Sequence, residues 1–131
     1  MRICILASEV APLAKTGGLG DVAGAYQRLC VRVARDVMTV TPFYSETPQS
    51  YLGARILDGI EIDWQGGKRA FSVWYTEHTG APTFLIEFPD YFSRPGIYGY
   101  GDDHEALCFL QPGCHTASSP PGACSGRCPR K

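Results

Sequence analysis

The sequence has almost no net charge and lacks a long apolar run. Its 131 residues hold 12 Lys and Arg against 13 Asp and Glu, which gives a formal net charge of −1. Proteins that bind nucleic acid or anionic membranes by broad electrostatic attraction need a positive excess, so we expect neither partner. The apolar run at residues 3–7 is too short for a membrane span or a signal peptide. Because no transit peptide is present either, the cytoplasm is the expected location.

Two common nucleotide-binding motifs are also missing. Residues 18–23 fit the spacing G-x-G-x-x-A, but that dinucleotide motif follows its strand almost directly and needs an acidic residue at the end of the next strand. Here about ten residues separate Ala7 from Gly18, and the next strand ends in Thr-Pro-Phe. In a P-loop the lysine follows the glycines, whereas Lys15 precedes them. We therefore expect neither a nicotinamide or flavin site nor a P-loop.

What the sequence does contain is a glycine-rich segment, Lys-Thr-Gly-Gly-Leu-Gly-Asp at residues 15–21, between a strand and a helix. Glycines let the backbone approach an anion and direct N–H groups at it. The following helix N-terminus favours negative charge, and Lys15 adds a mobile point charge. The pattern predicts a phosphate-binding loop suited to a sugar nucleotide, although a purely steric strand-to-helix turn has the same glycines.

Strand and helix patterns alternate along the first hundred residues. A helix is predicted from Asp21, with Asp21 as its N-cap and an apolar face of Val22, Ala25, Tyr26, Leu29, Cys30 and Val33. A β-branched strand at residues 36–41 follows and ends before Pro42, which makes a βαβ unit with parallel strands. Further strands are predicted at 54–63, 70–77 and 83–87. Residues 89–103 are predicted to be an irregular surface loop, whose aromatic rings either stack on sugars or attach the loop to the domain.

Four segments resemble the glycogen and starch synthases, in the same order as in that family. They are residues 7–22 (ASEVAPLAKTGGLGDV), 41–44 (TPFY), 73–75 (VWY), and 94–98 (RPGIY) followed by 101–103 (GDD). The resemblance covers about residues 1–105. It implies an α/β fold, the truncated Rossmann-like N-terminal lobe of a glycosyltransferase with two Rossmann-like domains. Residues 1–105 would be a partial N-terminal catalytic domain.

The resemblance also implies a reaction. The family transfers glucose from ADP-glucose to the non-reducing end of an α-1,4-glucan, with retention and without a metal or redox cofactor. The residues implied for donor binding are Lys15, Gly17, Gly18 and Asp21. Glu9 and Tyr98 are implied on the acceptor side. Asp21 would order the loop or touch the sugar, with helix capping as the alternative, and Glu9 could equally be a surface charge.

Several parts of the family's active site do not occur in this sequence. The His-Ala-His-Asp-Trp segment is absent, as is the C-terminal domain with its diphosphate-binding Arg and Lys. The three histidines offer no convincing nucleophile arrangement, so no catalytic residue is assigned. The alternative to a family enzyme is therefore a non-catalytic remnant, at most a weak phosphate or glucan binder.

Residues 106–131 differ in composition from the rest of the chain. They hold four of the six cysteines and four of the ten prolines. A frameshift near codon 105 would explain them, and such a composition predicts disorder. A zinc site is the alternative, but its spacing lacks C-x₂-C pairs, and disulfides would need an oxidising compartment. The candidate zinc ligands are Cys108, Cys114, His115, Cys124 and Cys128. Cys4 and Cys30 are expected as small core residues.

Overall fold

The computed structural model describes residues 1–34 and 36–110. The strands are β1 (Arg2–Leu6), β2 (Asp36–Pro42), β3 (Ala54–Trp64), β4 (Gly67–Thr76) and β5 (Thr83–Glu87). The helices are α1 (Gly18–Val33), α2 (Pro89–Phe92) and α3 (Asp103–Phe109), with a 3₁₀ turn at Gln49–Tyr51. Disorder was predicted for residues 106–131; of these, 106–109 are helical in α3, and residues 111–131 lie outside the described residues. So do the candidate disulfides and all the zinc ligands except Cys108.

The five strands form one mixed sheet in the order β1-β2-β5-β4-β3. Strands β1, β2 and β5 are parallel, and β4 and β3 continue the sheet in antiparallel pairing. The predicted α/β fold and its βαβ unit are confirmed. Because α1 connects two neighbouring parallel strands, its N-terminus lies at the carboxyl end of the parallel strands, where open α/β sheets bind ligands.

A tight turn joins β3 and β4 into a hairpin. Gln65 and Gly66 have positive φ angles of 51° and 76°. This is the geometry of a type I′ turn, whose twist matches that of the flanking strands. The predicted strand at 70–77 begins three residues earlier in the structure, at Gly67, because the turn needs only two residues.

The hydrophobic core lies between the sheet, α2 and α3. Phe109 packs against the rings of Trp64, Phe71 and Phe88, with centroid distances of 5.3, 5.6 and 4.5 Å. Ala106 is buried in the same cluster. The boundary predicted at residue 105 therefore falls inside α3, because the apolar face of this helix extends to Phe109.

The segment predicted as a surface loop, residues 89–103, also contributes to this core. It starts with the short helix α2, and Tyr91, Phe92 and Ile97 are buried. These three side chains attach the segment to the domain, which was one of the two predicted roles for its aromatic residues. Tyr98 stays partly exposed.

Helix α1 differs from its prediction in both start and orientation. It begins at Gly18, with Gly17 as the N-cap, so Asp21 lies in the first turn and is not the cap. Its buried residues are Gly20, Ala23, Gly24, Gln27 and Cys30. A Cβ on Gly20 or Gly24 would lie 3.0 Å from a backbone carbonyl oxygen of the preceding loop. Because the helix backbone packs this closely, small residues face inward, and most of the predicted apolar face is exposed.

The described cysteines follow the prediction only in part. Cys30 is buried, whereas Cys4 is exposed on the same face of the sheet as its exposed neighbour Met38. Within residues 1–34 and 36–110, no helix is long and apolar enough to cross a membrane.

Candidate functional site

The loop from residue 7 to residue 17 leads from β1 to α1 and positions the candidate site. Its middle is folded into the domain: Val10 and Leu13 are buried, and a short antiparallel bridge joins Val10 to Ala14. The Ala11–Pro12 peptide bond is cis. The backbone N–H of Ala11 donates to the carbonyl oxygen of Gly20 at 3.0 Å, which fastens the loop to the first turn of α1. The loop is therefore a folded part of the domain with a defined shape.

Glu9 is buried beneath this loop and holds its end by hydrogen bonds. Only 2 % of its surface is exposed. Its carboxylate accepts hydrogen bonds from the Thr16 backbone N–H and the Thr16 hydroxyl, both at 2.8 Å. Burial is the largest effect and raises the pKa of Glu9, but hydrogen bonds from Thr16, the Tyr98 hydroxyl and the Gly17 N–H together outweigh it, and the pKa is lowered from its model-compound value of 4.5. Glu9 is therefore a buried anion that holds the residue just before the glycines.

Lys15 and Asp21, the first and last residues of the glycine segment, form an ion pair. The Lys15 Nζ lies 2.8 Å from Asp21 Oδ2, and the side chains are 51 % and 58 % exposed. A pair this exposed contributes about 0–1 kcal/mol to stability. The predicted capping role of Asp21 is replaced by this contact, which keeps the Lys15 ammonium group beside the helix N-terminus.

Gly17 and Gly18 face open space. Gly17 has φ −152° and ψ −153°, an extended conformation that any residue adopts, and no side chain caps α1. A Cβ at either glycine would have no atom within 4 Å. Neither backbone conformation nor packing therefore requires glycine at these two positions. Since the first N–H groups of a helix have no partner inside it, the absent side chains leave a path to these donors.

Tyr98 approaches the same loop from a distant part of the sequence. Its hydroxyl lies 2.7 Å from the Ser8 hydroxyl. Burial raises the pKa of Tyr98, the Ser8 contact opposes this, and a hydrogen bond with Glu9 raises it further. The structure thus brings together Glu9 and Tyr98, which the sequence assigned to one side of the site.

The segment that carries Tyr98 is fixed by Arg94. Its guanidinium Nη1 donates to the Asp102 carboxylate oxygens at 2.7 and 2.9 Å, and it lies over the Tyr100 ring at 3.9 Å. The hydrogen bond from Arg94 is the main reason that the pKa of Asp102 is lowered. Sequence reasoning did not identify Ser8, Thr16 or Arg94 as parts of the site. The available signal was their position inside the segments 7–22 and 94–98, which resemble the family.

A metal centre is not supported by the described part of the chain. Residues 1–34 and 36–110 contain no group of three or more His, Cys, Asp or Glu side chains that could hold an ion. The site instead offers one ammonium group, a helix N-terminus and hydroxyl groups. Such a donor set suits an anionic ligand with sugar hydroxyls.

Comparison with known proteins gives a consistent match. The sequence model described as the starch synthase catalytic domain matches residues 2–119, which extends beyond residue 105. The glycogen synthase of Lactobacillus acidophilus is 34 % identical over 114 residues, covering 85 % of this chain and 24 % of that protein. The glycogen synthase of Geotalea uraniireducens is 36 % identical over 116 residues, covering 84 % and 24 %.

A solved structure agrees with these matches. The catalytic domain of starch synthase IV from Arabidopsis thaliana, bound to ADP and acarbose, superposes with a TM-score of 0.69 at 27 % identity. The match covers 83 % of this chain and 23 % of that one. The present chain thus spans about a quarter of the length of the relatives that it matches.

Proposed function

Because the chain belongs to the starch synthase catalytic domain family, we propose that it forms the N-terminal side of a glucosyltransferase site and binds the phosphates of ADP-glucose. The whole reaction would move glucose from ADP-glucose to the non-reducing end of an α-1,4-glucan, with retention. The chain is a glycogen and starch synthase family glycosyltransferase by sequence. Its donor, its acceptor and its stereochemistry are the proposed part.

The proposal rests on Gly17 and Gly18, which face open space. Gly17 and Gly18 have no conformational or packing reason to be glycine, yet they border the helix N-terminus beside Lys15. A diphosphate placed there would accept from backbone N–H groups and face the Lys15 ammonium. The structural relative is bound to ADP and acarbose, which supports a nucleotide and a glucan as ligands of such a site.

The residues have different proposed roles. Lys15 and the backbone at Gly17 and Gly18 would offset the charge of the leaving diphosphate, as preorganised donors do in charge-stabilising sites, with the Gly17 N–H shared with the Glu9 carboxylate. Asp21 would position Lys15 through their ion pair. Tyr98, with its hydroxyl beside the loop, is the better placed of the two acceptor-side residues, because both Glu9 oxygens already accept from Thr16.

A binding experiment tests the donor site in the chain itself. Titration of ADP-glucose into isotopically labelled chain, followed by nuclear magnetic resonance, should shift the amide signals of residues 15–21. The Lys15→Ala variant should bind more weakly by up to about fivefold, since an exposed ion pair is worth about 0.2–1 kcal/mol. Lys68→Ala is the matched control, because Lys68 is an exposed lysine of the β3–β4 hairpin that pairs with Glu61. Equal effects of both variants would contradict the proposal.

The alternative is that the chain is a non-catalytic remnant with weak phosphate or glucan affinity. The 131 residues span about a quarter of the length of their relatives, which favours this alternative for the 131 residues tested alone. We expect the purified chain to incorporate no labelled glucose from ADP-glucose into glycogen, because donors preorganised on only one side stabilise little of the developing charge. Robust turnover would show that the active site has been misplaced. The cytoplasmic location stays a prediction.

A further inference from the structure

The backbone around Tyr98 is held on both sides by other parts of the fold. The Asp103 carboxylate accepts the two backbone N–H groups that follow Tyr98, at 2.8 and 3.1 Å. The Glu46 carboxylate accepts the Gly96 N–H at 3.0 Å, and Ile97 is buried in the hydrophobic core. The position of Tyr98 is therefore fixed independently of the residues that its hydroxyl group contacts.

The Tyr98 hydroxyl joins two neighbouring residues of the loop between β1 and α1. It lies 2.7 Å from the Ser8 hydroxyl and forms a hydrogen bond with the Glu9 carboxylate. A phenol has one hydrogen, and an ionised carboxylate only accepts. Tyr98 therefore donates to Glu9, and the Ser8 hydroxyl donates to Tyr98. The pKa of Tyr98 agrees with these directions, because burial raises it most, the Ser8 contact lowers it and the Glu9 contact raises it.

Glu9 in turn holds the backbone that enters α1. Its carboxylate accepts the Thr16 N–H and the Thr16 hydroxyl, both at 2.8 Å, and it also accepts the Gly17 N–H. The backbone N–H groups just before Gly18 thus point inward. The first N–H groups of α1 have no partner inside the helix, and no side chain caps it. The direction of these free groups depends on the peptide units that Glu9 holds.

From these contacts we propose that Tyr98 is a positioning residue for the donor side of the site: its hydroxyl holds Ser8 and Glu9 so that the N–H groups at the start of α1 face outward, toward a ligand. That this ligand is a phosphate rests on the proposed function, whereas the positioning itself does not. The Tyr98 ring is 42 % exposed, so it stays available on the acceptor side. One residue thus serves both sides of the proposed site.

Tyr98→Phe tests the proposal, because it removes only the hydroxyl group and keeps the ring. In the ligand-free chain, the amide hydrogens of Thr16 and Gly17 should exchange with solvent at least about threefold faster, since their acceptor loses one of the hydrogen bonds that hold it. Tyr100→Phe is the matched control, because the Tyr100 hydroxyl donates to the Pro95 carbonyl oxygen within its own segment. It should leave both exchange rates unchanged. Circular dichroism would verify that both variants are folded.

An acid titration followed by nuclear magnetic resonance separates positioning from a general loosening of the fold. The amide signals of Thr16 and Gly17 report the titration of Glu9, since both N–H groups are bonded to it. Burial raises the pKa of Glu9, and the Tyr98 hydroxyl is among the donors that lower it, so Tyr98→Phe should shift the midpoint to higher pH. The other titratable group that faces Glu9 is Tyr44, which stays neutral because burial raises its pKa. An unchanged midpoint, or unchanged exchange rates, would overturn the proposal.

ADP-glucose binding by the same variants distinguishes this proposal from the proposed function. Tyr98→Phe should bind about 2- to 10-fold more weakly, the range expected for one hydrogen bond, and Tyr100→Phe should bind like the unchanged chain. If the unchanged chain binds, equal affinities of the two variants would overturn the positioning role. If the unchanged chain binds no ADP-glucose, the proposed function fails, whereas faster exchange and the shifted midpoint in Tyr98→Phe would still support the positioning of the loop by Tyr98.

Discussion

The role of Glu9 is best tested by replacing its carboxylate with an amide. Glu9→Gln keeps the size of the side chain but changes one oxygen into an NH₂ group. In the structure both oxygens accept hydrogen bonds, from the Thr16 backbone N–H and the Thr16 hydroxyl. The amide oxygen can still accept from the Thr16 N–H, but the NH₂ group can only donate to the Thr16 hydroxyl, which must then turn its own hydrogen away. Both hydrogen bonds also lose the assistance of the carboxylate charge. If Glu9 holds the loop, the variant must lose stability.

The expected loss follows from the change of charge. Glu9 is 2 % exposed, whereas Thr16 is exposed, so water can meet the hydroxyl hydrogen that loses its acceptor. Hydrogen bonds to a charged group are worth about 1.5–3 kcal/mol and neutral ones about 0.5–1.5 kcal/mol, and we expect a loss of about 1 kcal/mol of unfolding free energy. For a domain of this size that corresponds to a fall in Tm of about 4–8 °C.

Urea unfolding and thermal melting, followed by circular dichroism, measure this loss. Glu46→Gln is the matched control, because Glu46 also accepts a backbone N–H, from Gly96 at 3.0 Å, but is exposed. We expect the control to stay within about 0.5 kcal/mol of the unchanged chain. In a double-mutant cycle, Glu9→Gln and Thr16→Val should couple by about 1 kcal/mol or more. A stability equal to that of the control would mean that Glu9 is free to bind a ligand, and the reasoning would fail.

The same contact predicts a pH dependence. The pKa of Glu9 is lowered in the folded state from its model-compound value of 4.5. Its contribution to stability is therefore fully present above about pH 4.5 and is lost as the pH falls through the lower folded value. The difference between the unchanged chain and Glu9→Gln should accordingly shrink below pH 4.5. A constant difference down to pH 3 would contradict this assignment.

Three further predictions concern the glycines, the buried polar network and α3. Gly17→Ala should weaken ADP-glucose binding and lower the melting temperature by only a few degrees, because Gly17 is the N-cap of α1 and alanine is a poorer N-cap. Gly20→Ala should lower the melting temperature further, because its Cβ would lie 3.0 Å from a backbone oxygen. Gln27→Met should cost about 1–3 kcal/mol in urea unfolding, since the Thr39 hydroxyl loses its buried donor at 2.8 Å; adding Thr39→Val should restore part of it. Phe109→Ala should cost about 3–5 kcal/mol, and an unchanged stability would show that α3 is not part of the folded domain.

The strands could be predicted from sequence because their signals are local. Alternation, β-branched residues and turn residues lie within each segment, and β5 was predicted with the bounds that the structure shows. The orientation of α1 was harder to predict, because it depends on contacts with the loop that precedes the helix. Gly20 and Gly24 allow the loop carbonyls to approach the α1 backbone, so the helix turns its small side inward. A count of apolar residues at helical spacing cannot detect this.

The residues of the glycine segment could be predicted from the sequence, but the contacts that join it to distant parts of the chain could not. Lys15, Gly17, Gly18 and Asp21 are neighbours in the sequence, so their pattern was visible. The contact of Tyr98 with Ser8 joins residues 90 positions apart, and only the resemblance to a family suggested that this part of the chain belongs to the site. The buried state of Glu9 was not visible either, because an acidic residue in a loop is ordinarily exposed.

The ion pair between Lys15 and Asp21 bears on how the site would receive a donor. Holding the two side chains together contributes at most about 1 kcal/mol, because both are about half exposed. A diphosphate carries more negative charge than one carboxylate and would accept from the helix N–H groups at the same time. Under the proposed function a diphosphate would therefore take Lys15 from Asp21 at little cost. The ion pair would then serve to hold the ammonium group near the glycine segment in the ligand-free chain.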